Sequence, residues 1–99
     1  MIILKEELLP GFIAAHPEAK NSLLRWHALT NAATWYRLMD VRQSFRSADQ
    51  VCQCLVFDIL GNNYRLITGV NYAHQIITLF HFLTHKEYDR DRWKKDCGC

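Results

Sequence analysis

Apolar residues recur every three to four positions in the first half of the chain and every second position from Val51 onward, so helices are expected first and strands after. Residues 4–15, "LKEELLPGFIAA", place Leu4, Leu8, Leu9, Phe12 and Ile13 on one stripe. Pro10 and Gly11 interrupt it, which predicts a kinked helix or two short pieces. "HPEAKNSLLRWHALTNAA" opens with Pro17 in a first-turn position and Glu18 beside it, then carries Ala19, Leu23, Leu24, Trp26, Leu29 and Ala33, the pattern of a full helix. "WYRLMDVRQSF" predicts a shorter helix, and the polar "RSADQ" a loop.

The second half predicts three strands. "VCQCLVFDIL" and "NYRLITGVNY" flank Gly61-Asn62, a II′ hairpin turn. That turn sets Ile59 opposite Tyr64, Asp58 opposite Arg65 and Phe57 opposite Leu66. Phe57, Ile59, Tyr64, Leu66, Thr68, Val70 and Tyr72 then share the core face, and Arg65, Ile67, Gly69 and Asn71 point the other way. "AHQ" marks the next turn, and Ile76 to Thr84 the third strand. Strict alternation puts Ile76, Thr78, Phe80, Phe82 and Thr84 on one side and Ile77, Leu79, His81, Leu83 and His85 on the other. A strand apolar on both sides belongs inside a sheet. The expectation is one α+β domain over residues 1–99, with helices, an antiparallel meander and a C-terminal segment.

Composition narrows the class. Hydrophobic residues at 49% and aromatics at 12% are those of a globular protein. A lysine and two glutamates break the apolar start "MIILKEELL", and no apolar stretch reaches the ~18 residues of a membrane span, so a soluble cytoplasmic protein is expected. A net charge of +2 is only mildly basic, so any anion site must be local. Cys52, Cys54, Cys97 and Cys99 form two C-x-C pairs. They are read as reduced thiols of a cytosolic protein, with no disulfide framework expected. Four thiolates could in principle hold zinc, but the spacing is unlike that of zinc knuckles, and no metal or cofactor is expected.

Chemistry concentrates in "THKEYDRDRWKK", where the third strand runs without a linker into charge. Thr84 and Glu87 fit a capping box. His85 and Lys86 in the first turn oppose the helix dipole, a placement that suits a visiting anion at the free amides. Tyr88 lies one turn beyond His85. With Arg65 on the face away from the core, these residues could cut RNA: histidine as general acid or base, tyrosine orienting or donating a proton, arginine holding phosphate. Each has a plainer reading. Arg65 can pair with Asp58 across the hairpin, His81 can be a half-buried strand histidine, and Arg42, Arg46, Arg90, Arg92, Lys94 and Lys95 can be a solvated surface.

"VFDILGNNYRLI", "VNY" and "THKEYD", with the earlier "HPEA", Trp26 and "SADQV", resemble the HigB family of toxins from type II toxin–antitoxin modules. The resemblance runs from Met1 to about Trp93. It implies a RelE-like fold, N-terminal helices packed on a twisted antiparallel sheet with a short C-terminal helix. It also implies an mRNA interferase that cleaves translated messages at the ribosome without metal, through the ribose 2′-OH, and is silenced by a helix-turn-helix (HigA-like) antitoxin. On matching positions it implies Arg65 as phosphate clamp, His85 as general acid or base and Tyr88 as orienting group or proton donor. Lys86 would add electrostatic stabilisation, and Arg42, Arg90, Arg92, Lys94 and Lys95 are the further cations expected to meet RNA. Two departures stand out: Asp58, where the family pattern has asparagine, and Phe80, where many members carry a basic residue. A non-catalytic domain of the same fold that binds antitoxin or RNA is the alternative.

Overall fold

A computed structural model describes residues Met1–Cys99. Five strands, β1 (Ile2–Leu4), β2 (Asp49–Val51), β3 (Cys54–Ile59), β4 (Tyr64–Asn71) and β5 (Ile76–Thr84), form one sheet in the order β1-β5-β4-β3-β2. Four helices accompany them: α1 (Leu9–Ala15), α2 (Lys20–Ala32), α3 (Leu38–Ser44) and the single turn α4 (His85–Tyr88). The expected break near Pro10 is present, with a 3-10 turn, Glu6–Leu8, leading into α1. α2 follows another 3-10 turn, Pro17–Ala19, and buries Leu23, Trp26 and Thr30, one stripe at helical spacing.

The hairpin register is as the turn required: Ile59 faces Tyr64, Asp58 faces Arg65 and Phe57 faces Leu66. The connection occupies Leu60 to Asn63, with positive φ at Leu60 (54°) and Gly61 (64°). Phe57, Leu55, Ile59 and Leu66 join Leu23, Trp26, Trp35 and Val41 in the main core. Phe57 is its aromatic hub, with the rings of Trp26, Phe45 and Trp35 at 5.6, 5.1 and 6.2 Å. Phe57→Ala is therefore expected to cost about 3–5 kcal/mol, measurable as a lower denaturant midpoint at unchanged slope. Buried Thr68 meets its own need by donating its hydroxyl to the Leu55 carbonyl at 3.0 Å.

The structure differs from the sequence reading in four places. Ile2–Leu4 is a strand parallel to Ile76–Thr78, so the sheet is mixed rather than antiparallel. "VCQCLVFDIL" is two strands, because the chain reverses at Cys52-Gln53, and "ADQ" contributes to β2. β5 does not alternate strictly: Ile67 faces His81 while Thr68 faces Leu79, so Phe80 is an extra residue. This bulge keeps Leu79 and Phe82 in the core and turns Phe80 to the second face, where its ring lies over Gly69 at a distance that leaves no room for a Cβ.

The fourth difference concerns the cysteines, which are not free thiols: Cys52 is bonded to Cys99 and Cys54 to Cys97. After α4 the chain forms a 3-10 segment, Arg92–Cys97, that returns over the second face to the β2–β3 turn. There Gln53 N–H donates to the Cys97 carbonyl at 2.8 Å, and the two C-x-C pairs meet with Cα atoms 5.7 and 5.2 Å apart. Gly98, between the bonded cysteines, has φ of 74° and the Gln53 side chain against it.

Candidate active site on the second sheet face

Side chains pointing away from the main core converge where β3, β4, α4 and the C-terminal segment meet. Arg65 leaves β4 on this side, and its Nε donates to Asp58 Oδ1 at 3.1 Å. Its Nη1 donates to the Tyr64 carbonyl at 3.1 Å and its Nη2 to the Asn62 side chain. The side chain is 11% exposed. Hairpin register explains why: residues directly opposite in an antiparallel pair are close enough for a carboxylate to hold a guanidinium. The plainer reading of Arg65, a pair with Asp58, is thus present in the folded protein.

Tyr88 lies over this guanidinium, 5.4 Å from ring centroid to Cζ. Burial pushes its phenol above the ordinary tyrosine range, only partly offset by Arg65, so the hydroxyl is a neutral donor at pH 7. Its other neighbour is Trp93, stacked at 4.9 Å and 13°, whose indole N–H donates to the Tyr88 carbonyl at 2.9 Å. Arg65, Tyr88 and Trp93 thus form one continuous stack.

The junction is capped as the motif requires. Glu87 N–H donates to Thr84 Oγ1 at 3.2 Å, and Thr84 N–H donates to the Glu87 carboxylate at 3.0 Å. That backbone bond is the main cause holding Glu87 below the usual carboxylate range. Its contribution is present above the ordinary glutamate pKa and fades as pH falls through the depressed one. Thr84→Ala, which removes the Oγ1 acceptor and keeps the amide, should cost about 1 kcal/mol, and Glu87→Gln should cost more at pH 7 than at pH 3, which urea unfolding at the two pH values would measure. α4 is a single turn with one of its amides already taken by Thr84, so the free-amide anion site expected there is not what the turn offers.

The sequence-predicted residues separate into groups. Arg65 and Tyr88 are in contact. His85 stands outside the stack at the start of α4, 48% exposed, with Nδ1 3.0 Å from Asp89 Oδ2. Lys86 beside it is exposed. Arg90, Arg92 and Lys95 line a hollow of about 240 Å³ together with His81, Glu87 and Asp96. Lys94 pairs with Asp91 at 3.2 Å and lies 5.9 Å above the Trp93 ring. Arg42, on α3, donates to the Ala48 carbonyl and faces Asp49 at 3.6 Å, and Asp49 is near enough to act on the Tyr88 phenol.

Sequence reasoning missed three participants. Asn62 fixes Arg65 from the turn. His81, turned outward beside the bulge, is held by Asp96 at 2.7 Å. Trp93 is buried with Cys97 against Val56 and Ile67, and the signal was available: Trp93 and Cys97, at helical spacing, are the apolar residues of "DRDRWKKDC". No group of histidine, cysteine and carboxylate side chains is arranged to hold a metal ion, and no helix is long and apolar enough to cross a membrane.

No curated protein matches the chain. The model of the HigB toxin family, described as the RelE-like toxic component of a toxin–antitoxin system, matches residues 19–91, which include Arg65, the capped turn and Tyr88. The α+β architecture with its five-stranded sheet is consistent with a RelE-like fold. The chain belongs to the HigB family of toxins of toxin–antitoxin systems.

Proposed function

We propose that this toxin is a cytoplasmic endoribonuclease that cuts messenger RNA during translation, with residues 1–99 acting as one toxin domain. The observation that carries the reading is the Arg65 guanidinium held beneath the neutral Tyr88 phenol at the foot of a capped turn that presents His85 and Lys86. The ribose 2′-OH attacks the adjacent phosphorus, the bond to the 5′ oxygen breaks, and a 2′,3′-cyclic phosphate and a 5′-hydroxyl result. A base takes the 2′ proton and an acid supplies one to the leaving oxygen. His85 is assigned to one of these transfers, with Tyr88 orienting the phosphate or donating. Arg65, released from Asn62 but still charge-balanced by Asp58, clamps the phosphoryl oxygens, and Lys86 adds positive charge. Arg90, Arg92, Lys94 and Lys95 follow the flanking strand, with Arg42 beside Asp49 as a further cation. A net charge of +2 is small for free RNA, which favours ribosome-bound message as substrate; the family implies an antitoxin partner, here proposed to be of helix-turn-helix type.

Purified protein in a translation reaction, with 5′ ends mapped on the message, tests this. Wild type should cut only when ribosomes are present, and His85→Ala should lower cutting by about a hundredfold. Tyr88→Phe, which keeps the stack and loses the hydroxyl, should lower it less and leave thermal stability unchanged. Cutting unaffected by either change would remove both from the chemistry. The Asp58–Arg65 pair supports a second reading, a non-catalytic domain that binds antitoxin or RNA; well-folded wild type that never cuts, with its disulfides intact or reduced, would establish it.

A further inference from the structure

The second sheet face carries a covalently fastened cover. Trp93 and Cys97 of the C-terminal segment pack on Val56 and Ile67, Trp93 stacks on Tyr88, and Asp96 holds His81. The two disulfides that fasten the segment are unequal. Cys52 and Cys99 are exposed, whereas Cys54 and Cys97 are fully buried. An external thiolate can reach the first pair, and the second only after the first has opened.

We infer that Cys52–Cys99 is a thiol–disulfide exchange site for a dithiol reductant, and that opening it and then Cys54–Cys97 uncovers the Arg65–Tyr88 site. The oxidised protein is the latent form and the reduced protein the active one; this rests on the endoribonuclease reading of that site. One thiolate of the reductant attacks a sulfur of Cys52–Cys99. That S–S bond breaks, a mixed disulfide forms, and the other cysteine leaves as a thiolate that takes up a proton. The second reductant thiol, deprotonated, attacks the mixed disulfide, frees the remaining cysteine and leaves the reductant as its own disulfide. Two electrons and two protons reach the protein, and a second dithiol repeats the exchange at Cys54–Cys97.

Without the tethers, the segment is held through few side chains, Trp93 above all. Its dry contacts reduce to Trp93 and Cys97, its polar ones to the Gln53–Cys97 backbone bond, the Trp93 indole N–H to the Tyr88 carbonyl and the part-exposed His81–Asp96 pair. Arg92 and Lys95 are exposed and favour water, and Gly98 is free to leave its left-handed conformation once unconstrained. The tethers hold the cover at a high effective concentration over its site, and reduction removes that advantage. Departure of Trp93 unstacks Tyr88, which can then move off the Arg65 guanidinium to admit a phosphate.

The test uses the full chain in oxidised form and after a dithiol such as dithiothreitol, with thiol content confirmed by alkylation and mass. Hydrogen exchange reports the cover, message cleavage reports the site, and the amides of β4 and β5 report whether the fold survives. The expected result is loss of protection over residues 92–97 with β4 and β5 still protected, Trp93 fluorescence shifted to the red, and cleavage raised at least about tenfold. The variant Cys52→Ser/Cys99→Ser should become fully reduced at lower dithiol than wild type. Protection retained over 92–97 in fully reduced protein would overturn the inference, as would unfolding of the sheet on reduction or equal cleavage by both forms with the cover released. Loss of protection confined to 92–97, with no cleavage by either form, would support the redox-controlled cover and remove the endoribonuclease reading instead.

Discussion

Arg65→Ala is expected to lower message cleavage by about a hundred- to a thousandfold, the usual cost of removing one donor aimed at developing charge. The same change should cost only about 1 kcal/mol of stability, because the partner it abandons, Asp58, is 29% exposed and can recover water. A loss that small leaves the folded fraction essentially complete in a domain stable by several kcal/mol, so a large fall in rate would be chemical. Arg65→Lys sharpens the point: the charge opposite Asp58 survives, the planar fork does not, and cleavage should remain well below wild type. Asp58→Asn should leave cleavage unchanged or raise it, since it loosens the grip on Arg65. Primer-extension rates for the three variants, with unfolding curves on the same samples, decide the matter. If Asp58→Asn abolishes cutting, the ion pair is part of the working site and not a restraint on it.

The second large effect concerns the tethers, which are nested. Cys52–Cys99 and Cys54–Cys97 span sequence separations of 47 and 43, and either bond alone removes about 4 kcal/mol of unfolded-state entropy in the chain-closure model. Once one is closed, the other closes only the short ring running through Gln53 and Gly98, for which the same model gives about 2 kcal/mol. Cys52→Ser/Cys99→Ser should therefore cost about 2 kcal/mol, and replacing all four cysteines at least about 4, with a fall in melting temperature of roughly 15–30 °C. Equal costs for the two variants would mean that the inner bond does not form when the outer is absent.

Much of the stranded half could be read from local signals. Ile76 to Thr84 was bounded by turn residues on one side and a capping box on the other, and the Gly61-Asn62 turn carried the Asp58–Arg65 register with it. What escaped depends on distant partners. Ile2–Leu4 is a strand only because Ile76–Thr78 lies beside it, and three apolar residues cannot announce that. The reversal at Cys52-Gln53 lacks glycine and asparagine and places a positive φ on a cysteine, so nothing local marked it. The bulge at Phe80 looks like ordinary alternation until Phe82 is seen in the core. The cysteines were read by compartment, which says nothing of which sulfurs the topology brings together.

For the candidate site, sequence supplied Arg65, Tyr88 and the capped turn. It could not say that Tyr88 leans on Arg65 and away from His85, nor that Trp93 would lie against its other side. Those choices follow from packing: the chain after α4 buries Trp93 and Cys97 on Val56 and Ile67, and Tyr88 is carried with it.

The short outer strands have a consequence for how this molecule meets others. β1 and β2, the two margins of the sheet, have three residues each, while β5 inside it has nine. β1 pairs only with Ile76–Thr78, so from Leu79 to Thr84 the margin on that side is β5 itself, with no strand of the sheet on its outer side, whereas the β2 margin is three residues long. A partner strand that extended the sheet would find its longest free edge along β5 and not along β2.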